Sequence, residues 1–245
     1  MALAKVCLAT LGSLGSGVTA HVWHGKLCSV GNHPLIVSSV QNNRAEPRWP
    51  AILAMIAVVG LRFARPPALR GGPDWVLASI LVTLLVLASV LHKKGWNRAN
   101  QILGYTLLVT VTADMIASLT LLITRLPAHR DAPRELLTAA SGIWGSNVLV
   151  FASWYWRLDG GGPNARDRRK THDSGAFLFP QMQMRDLNWK PGFVDYLFLA
   201  FNTSTAFSPT DVPVLSHWAK VMMMTQSSIS LGTVIILAAR AVNIL

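Results

Sequence analysis

Asp114 sits in the run VTVTADMIASL, where apolar residues press on it from both sides. A carboxylate at that depth in a hydrocarbon-solvated helix costs several kcal/mol unless it is paired, hydrated or protonated. Two roles fit it: a relay for protons or cations, or a paired acid that holds helices together. A second polar group lies in FNTSTAFSPTD, Phe201 to Asp211, between two apolar segments. Thr203, Thr205, Ser208, Thr210 and Asp211 supply hydroxyls and a carboxylate to whatever crosses there. A third set, Gln226, Ser230 and Thr233, falls at i, i+4 and i+7 and so shares one helical face. That stripe either lines a wet path or lets helices approach closely, and close approach is the commoner use of small polar residues in lipid. Asn147 is either a hydrogen-bond partner for Asp114 or, the favoured reading, glue between helices like that stripe.

Other chemistries find little support. His21, His24 and Cys28 sit close together, but there is no fourth ligand beside them. GSLGSG, from Gly12 to Gly17, follows no strand and is not a phosphate loop. No nucleophile–base pair or carboxylate pair stands out, so the sequence predicts no enzyme, no metal and no cofactor.

The elements that must position these residues are apolar. Of 245 residues, 51% are hydrophobic and 13% charged, with a mean hydropathy of +0.39. Soluble domains carry about a quarter charged residues. Lipid is therefore the expected solvent. The net charge of +11 is spread over short basic clusters between apolar runs. That pattern fits anionic membrane surfaces and not nucleic acid.

Four spans are expected at Trp49–Ala64, Trp75–His92, Ile102–Ile123 and Leu136–Trp156. The first is short, so Arg62 must snorkel or the membrane must thin there. Trp75, Lys93 and Lys94 read as interface anchors, and Trp154, Tyr155 and Trp156 as an aromatic belt. Arg157–Lys190 reads as a basic connection, with FLFPQM as an apolar patch on the membrane surface. A final helix starts near Pro213 or Val214. Residues 1–48 read as a disordered or peripheral extension. Alternating sides place fourteen Lys and Arg on one face and six on the other before the last helix. The N-terminus and the Arg157–Lys190 segment are thus expected in the cytoplasm, the latter against anionic headgroups.

Phe193–Asp211 has three readings: a short fifth span, a re-entrant helix, or a helix lying in the interface. The segment FVDYLFLAFNTSTAFSPTD resembles the pore helix and filter of potassium channels, with Phe193, Phe201, Thr203, Thr205 and Asp211 on matching positions. Ser208, Pro209 and Thr210 replace the Gly-Tyr-Gly of that filter. The resemblance therefore implies a pore-loop shape without its potassium-selective carbonyl stack. Phe179–Leu245 is also similar to an uncharacterised bacterial family of multi-pass membrane proteins, a domain of unknown function, which implies a class and no activity.

The expectation is an all-α transmembrane bundle of five or six spans, multi-pass in the bacterial inner membrane, with a short or re-entrant helix before the last span. Its divisions are the extension 1–48, a four-helix region 49–156, a basic cytoplasmic connection 157–192 and a pore-loop-like hairpin 193–245. The expected function is a small-ion or proton pathway, in a homo-oligomer. The alternative is a non-transporting scaffold or accessory subunit.

Overall fold

A computed structural model describes residues 46–67, 74–94, 96–125, 133–169, 175–183, 189–205 and 212–242. The chain divides into two units, Met1–Asn42 and Asn43–Leu245, and all described residues belong to the second. The extension 1–48, save its last three residues, lies outside them, as do His21, His24 and Cys28.

The described residues are helical, without strands beyond one isolated bridge between Phe177 and Val214. The long helices are α1 (Trp49–Ala64), α2 (Asp74–Lys93), α3 (Asn97–Arg125) and α4 (Pro133–Leu158). After a 3-10 turn at Asp159–Gly161 come two short helices, α5 (Pro163–Arg168) and α6 (Pro180–Gln183). The chain then enters α7 (Phe193–Thr205) and α8 (His217–Val242). Three stretches are long and apolar enough to cross a membrane: Arg98–Arg125, Arg134–Arg168 and His217–Ala239. α1 and the Ser79–Val90 part of α2 are shorter apolar helices.

α4 is the hub, packing against α1, α3, α7 and α8, while α2 packs chiefly on α3. Its sequence permits this. Ala139, Ala140 and Ala152 are fully buried, and Gly142 and Gly145 receive α1. A Cβ on Gly142 would stand 3.5 Å from the Leu61 carbonyl oxygen, so small residues set this close approach. The outward faces stay apolar: Leu53, Ile56, Val86, Val109, Ile116, Leu231 and Ile235 are all exposed. A fold with its greasy side chains on the outside as well as inside suits a lipid solvent.

The C-terminus of α4 defines a capped end. There the chain turns through Gly160, Gly161 and Gly162, at φ of 59°, 81° and 88°. Three successive residues in this region require glycine. The turn brings Arg166 back under α4, where it is buried and donates to the Trp156 and Asp159 carbonyls at 2.8 Å each. The Trp156 carbonyl lies in the last turn of α4, where a helix leaves carbonyls open, and the Asp159 carbonyl also accepts from the Gly162 amide at 2.9 Å. Arg166 also pairs with Glu46 at 3.1 Å, and Arg48 with Asp167 at 2.7 Å, tying the start of α1 to this cap. Fully buried Asp159 accepts from Tyr196 Oη at 2.6 Å and from the Ala176 amide.

Three expectations are corrected here. Tyr155 and Trp156 are core residues, since Tyr155 packs on Phe151 and Phe177 and Trp156 on Phe193. The exposed tryptophans at the capped end are Trp49, Trp96 and Trp218, each at a helix start. Phe177 and Phe179 of FLFPQM are buried too, sandwiched with Tyr155, Tyr196, Trp189 and Trp218. The last helix begins at His217, later than Val214. The delay arises because Pro213 accepts from the Leu178 amide at 2.9 Å and Leu215 donates to the Ala176 carbonyl at 2.8 Å.

Candidate functional site at the middle of the bundle

Two helices end halfway through the bundle. α1 starts at the capped end and stops at Ala64, because Arg65 precedes Pro66 and a residue before proline avoids the helical region. Its 16 residues rise ~24 Å at 1.5 Å each, short of a ~30 Å hydrocarbon core. α7 also starts at the capped end, where Phe193 meets Trp156 and Tyr196 meets Asp159. Its 13 residues rise only ~20 Å. Its last turn stands beside Gln226 and Ser230, the midpoint of α8. The chain is back at the capped end by Val212, because Pro213 and Leu215 are bonded to residues 176–178 there. α7 and α8 therefore run parallel from the same end. The chain thus comes back to the end at which α7 begins.

The end of α1 carries the first polar cluster. Arg62 and Arg65 are each only 1% exposed. Arg62 Nη1 pairs with Asp114 Oδ1 on α3, and Arg65 Nη1 lies 3.5 Å from Asp114 Oδ2. Arg65 also donates to Ser118 Oγ at 2.8 Å and to Ser146 Oγ on α4 at 2.9 Å. Ser146 in turn donates to the Gly142 carbonyl at 2.7 Å. One carboxylate thus faces two guanidinium groups. The C-terminus of α1 adds a partial negative charge that favours both arginines. Nε and Nη2 of Arg62 are buried without a hydrogen-bond partner among the described residues. Arg62 therefore does not snorkel. It turns inward because Asp114 offers a counter-charge 52 residues away in sequence.

The end of α7 carries the second cluster. Gln226, fully buried, donates from Nε2 to the Ala200 carbonyl and to Ser204 Oγ, both at 2.7 Å. Its Oε1 accepts from Tyr155 Oη, and its backbone carbonyl from Asn147 Nδ2 at 3.1 Å. Ser227 Oγ reaches the Thr203 carbonyl at 3.2 Å, and Ser230 Oγ the Ser204 carbonyl. Side chains of α8 thereby receive the carbonyls that a helix leaves open at its last turn. Asn147 Oδ1 is buried without a partner among the described residues.

The sequence-predicted residues fall out as follows. Asp114 joins the first cluster. Asn147, Gln226 and Ser230 join the second, with Asn147 turned to α8 and not to Asp114. Thr233 bonds back to the Ile229 and Ser230 carbonyls of its own helix. Thr203 Oγ1 bonds back to Leu199 and Thr205 Oγ1 to Asn202, so both hydroxyls are spent on α7 itself. Ser208, Thr210 and Asp211 lie outside the described residues. No hydrogen bond among the described residues joins Asp114 to Thr203 or Thr205. Adjacent residues of α4 instead divide the clusters: Ser146 faces the arginines and Asn147 faces α8. Sequence reading missed Arg62, Arg65, Ser118, Ser146 and Ser204 as site residues. The available signal was spacing: Arg62 and Arg65 at i and i+3 match Asp114 and Ser118 at i and i+4, one face on each helix.

Comparison with family models, with curated proteins and with solved structures finds no match for this chain.

Proposed function

We propose that this chain is a multi-pass protein of a bacterial inner membrane that passes small anions, with its polar centre at mid-depth. The observation that carries the reading is the buried Arg62–Asp114–Arg65 trio at the point where α1 stops. Membrane proteins that move ions place their sites near the midplane, between interrupted helices. Here two helices stop there, α1 and α7. The Arg62 guanidinium, buried with Nε and Nη2 open among the described residues, favours an anion over a cation at that point. Asp114 then serves as the counter-charge that holds the arginines and not as a cation relay. α7 supplies the pore-loop-like element, which accords with the resemblance of Phe193–Asp211 to a pore helix. The basic capped end, with Lys94 and Arg98 beside Trp96, faces the cytoplasm by the positive-inside rule. α8 then ends on the outer side. A homo-oligomer, if formed, has the exposed faces of α7 and α8 available, through Phe198, Phe201, Val221 and Met224.

The test is anion flux into liposomes holding the purified protein, read with a halide-quenched dye. Arg62→Met combined with Asp114→Leu removes charge and counter-charge together and should abolish the flux while the protein still folds. A second reading, a non-transporting scaffold, is favoured by the second cluster, where hydroxyls of α7 and α8 are spent on backbone carbonyls within the chain. Absence of flux for halides, nitrate and monovalent cations alike would select it.

A further inference from the structure

The capped end holds a cavity of about 310 Å³ between α1, α2, α3 and the glycine turn. Its lining divides by chemistry. The buried lining is mainly apolar, formed by Ala51, Met55, Ala88, Leu107 and Leu108, with Ser153 and Asn100 among them. The mouth is basic, with Arg48, Arg98, Arg157 and Arg168, and no carboxylate lines it among the described residues. The four arginines are not equivalent. Arg48 is engaged with Asp167 and Asn164, and Arg157 lies over the Trp156 ring and against Gly104. Arg98 and Arg168 are exposed at the rim and make no hydrogen bond or ion pair among the described residues. Asn100 and Gln101 stand beside them as further polar groups. Cationic groups left open above an apolar floor match a molecule with an anionic head and an acyl tail. The position agrees, because exposed Trp49 and Trp96 put this end at the headgroup level of a bilayer.

We infer that this cavity is a binding site for one phospholipid of net negative charge, its headgroup held between Arg98 and Arg168 and an acyl chain lying over Ala88 and Leu107. Basic pockets between membrane helices on the cytoplasmic side take lipid phosphates in this manner. The site rests on the membrane reading but not on anion flux, since lipid binding is measured in detergent without any gradient.

The experiment is native mass spectrometry of the full chain, delipidated in detergent and titrated with phosphatidylglycerol or with phosphatidylcholine of the same chains. One phosphatidylglycerol should bind at least about tenfold more tightly, the size of one charge-assisted hydrogen bond. Arg98→Ala with Arg168→Ala should erase that preference while leaving thermal stability unchanged, since neither side chain makes a hydrogen bond among the described residues. Arg125→Ala, exposed at the opposite end, should leave binding intact. Ala88→Leu fills the floor and should weaken lipid binding while sparing inorganic phosphate. Equal binding of the two lipids, or full binding by the double variant, would overturn the assignment. Inorganic phosphate binding as tightly as phosphatidylglycerol would overturn the lipid in favour of a free anion.

Discussion

Asp114→Asn is the most informative single substitution. It keeps the shape of the side chain and deletes the charge facing two arginines that are each 1% exposed. Removing one partner of a buried pair costs about 3–5 kcal/mol, because the other charge stays behind uncompensated. Here two charges stay behind, and Arg65 keeps Ser118 and Ser146 while Arg62 has no neutral hydrogen-bond partner among the described residues. The upper half of that range is therefore expected. At roughly 2–4 °C per kcal/mol for a chain of this size, the melting temperature should fall on the order of 10 °C. The assay is thermal unfolding of the purified protein in detergent, followed by size-exclusion of the heated sample. Arg62→Met should be less costly in the Asp114→Leu background than alone, because the pair is then removed as a unit, with a coupling above about 1 kcal/mol. An Asp114→Asn protein as stable as the parent, or additive single variants, would refute a paired Asp114.

Three further substitutions probe the rest of the fold by the same unfolding assay. Gln226→Leu takes the partner from Tyr155 Oη and Ser204 Oγ and should cost about 2–6 kcal/mol, each of the two groups adding ~1–3. Gly162→Ala should be severely destabilising, since Gly162 has φ of 88° and its Cβ would stand 2.8 Å from the Arg157 carbonyl oxygen. Gly60→Ala is its control: nothing lies within 4 Å of the added Cβ, so it should be neutral or slightly stabilising. Tyr196→Phe removes the donor to fully buried Asp159 and should cost about 1–3 kcal/mol.

Helix positions were legible because apolar runs bounded by Trp, Pro and basic residues leave little choice. α1 spans Trp49–Ala64 as expected from those residues, and α7 starts at Phe193 as expected from Pro191-Gly192. The number of crossings is less direct, since α1 and α7 are apolar enough to be counted and too short to cross unaided. Direction of facing was not legible. Arg62 at a helix end reads as a snorkelling residue until Asp114, on a different helix, is known to stand opposite. Trp154, Tyr155 and Trp156 carry the composition of an interface belt, yet Trp154 Nε1 bonds Thr112 Oγ1 at 2.9 Å and Tyr155 bonds Gln226. Composition reports what a residue prefers, and only the packing of α3 and α8 on α4 decides which partner it gets. The basic connection misled in the same way, because Arg166 spends its charge on Glu46 and on the carbonyls of α4.

The central claim is that α7 enters and leaves by one face. The direct measurement is sided thiol labelling of intact and inverted membranes, in a chain with Cys7 and Cys28 replaced by serine. Single cysteines are placed at Lys190 before α7, at Leu215 after it, and beyond Leu245. Lys190→Cys and Leu215→Cys should both label from the cytoplasmic side, and the C-terminal cysteine from the outer side. Labelling of Lys190→Cys and Leu215→Cys from opposite sides would mean that α7 crosses, and would contradict the account.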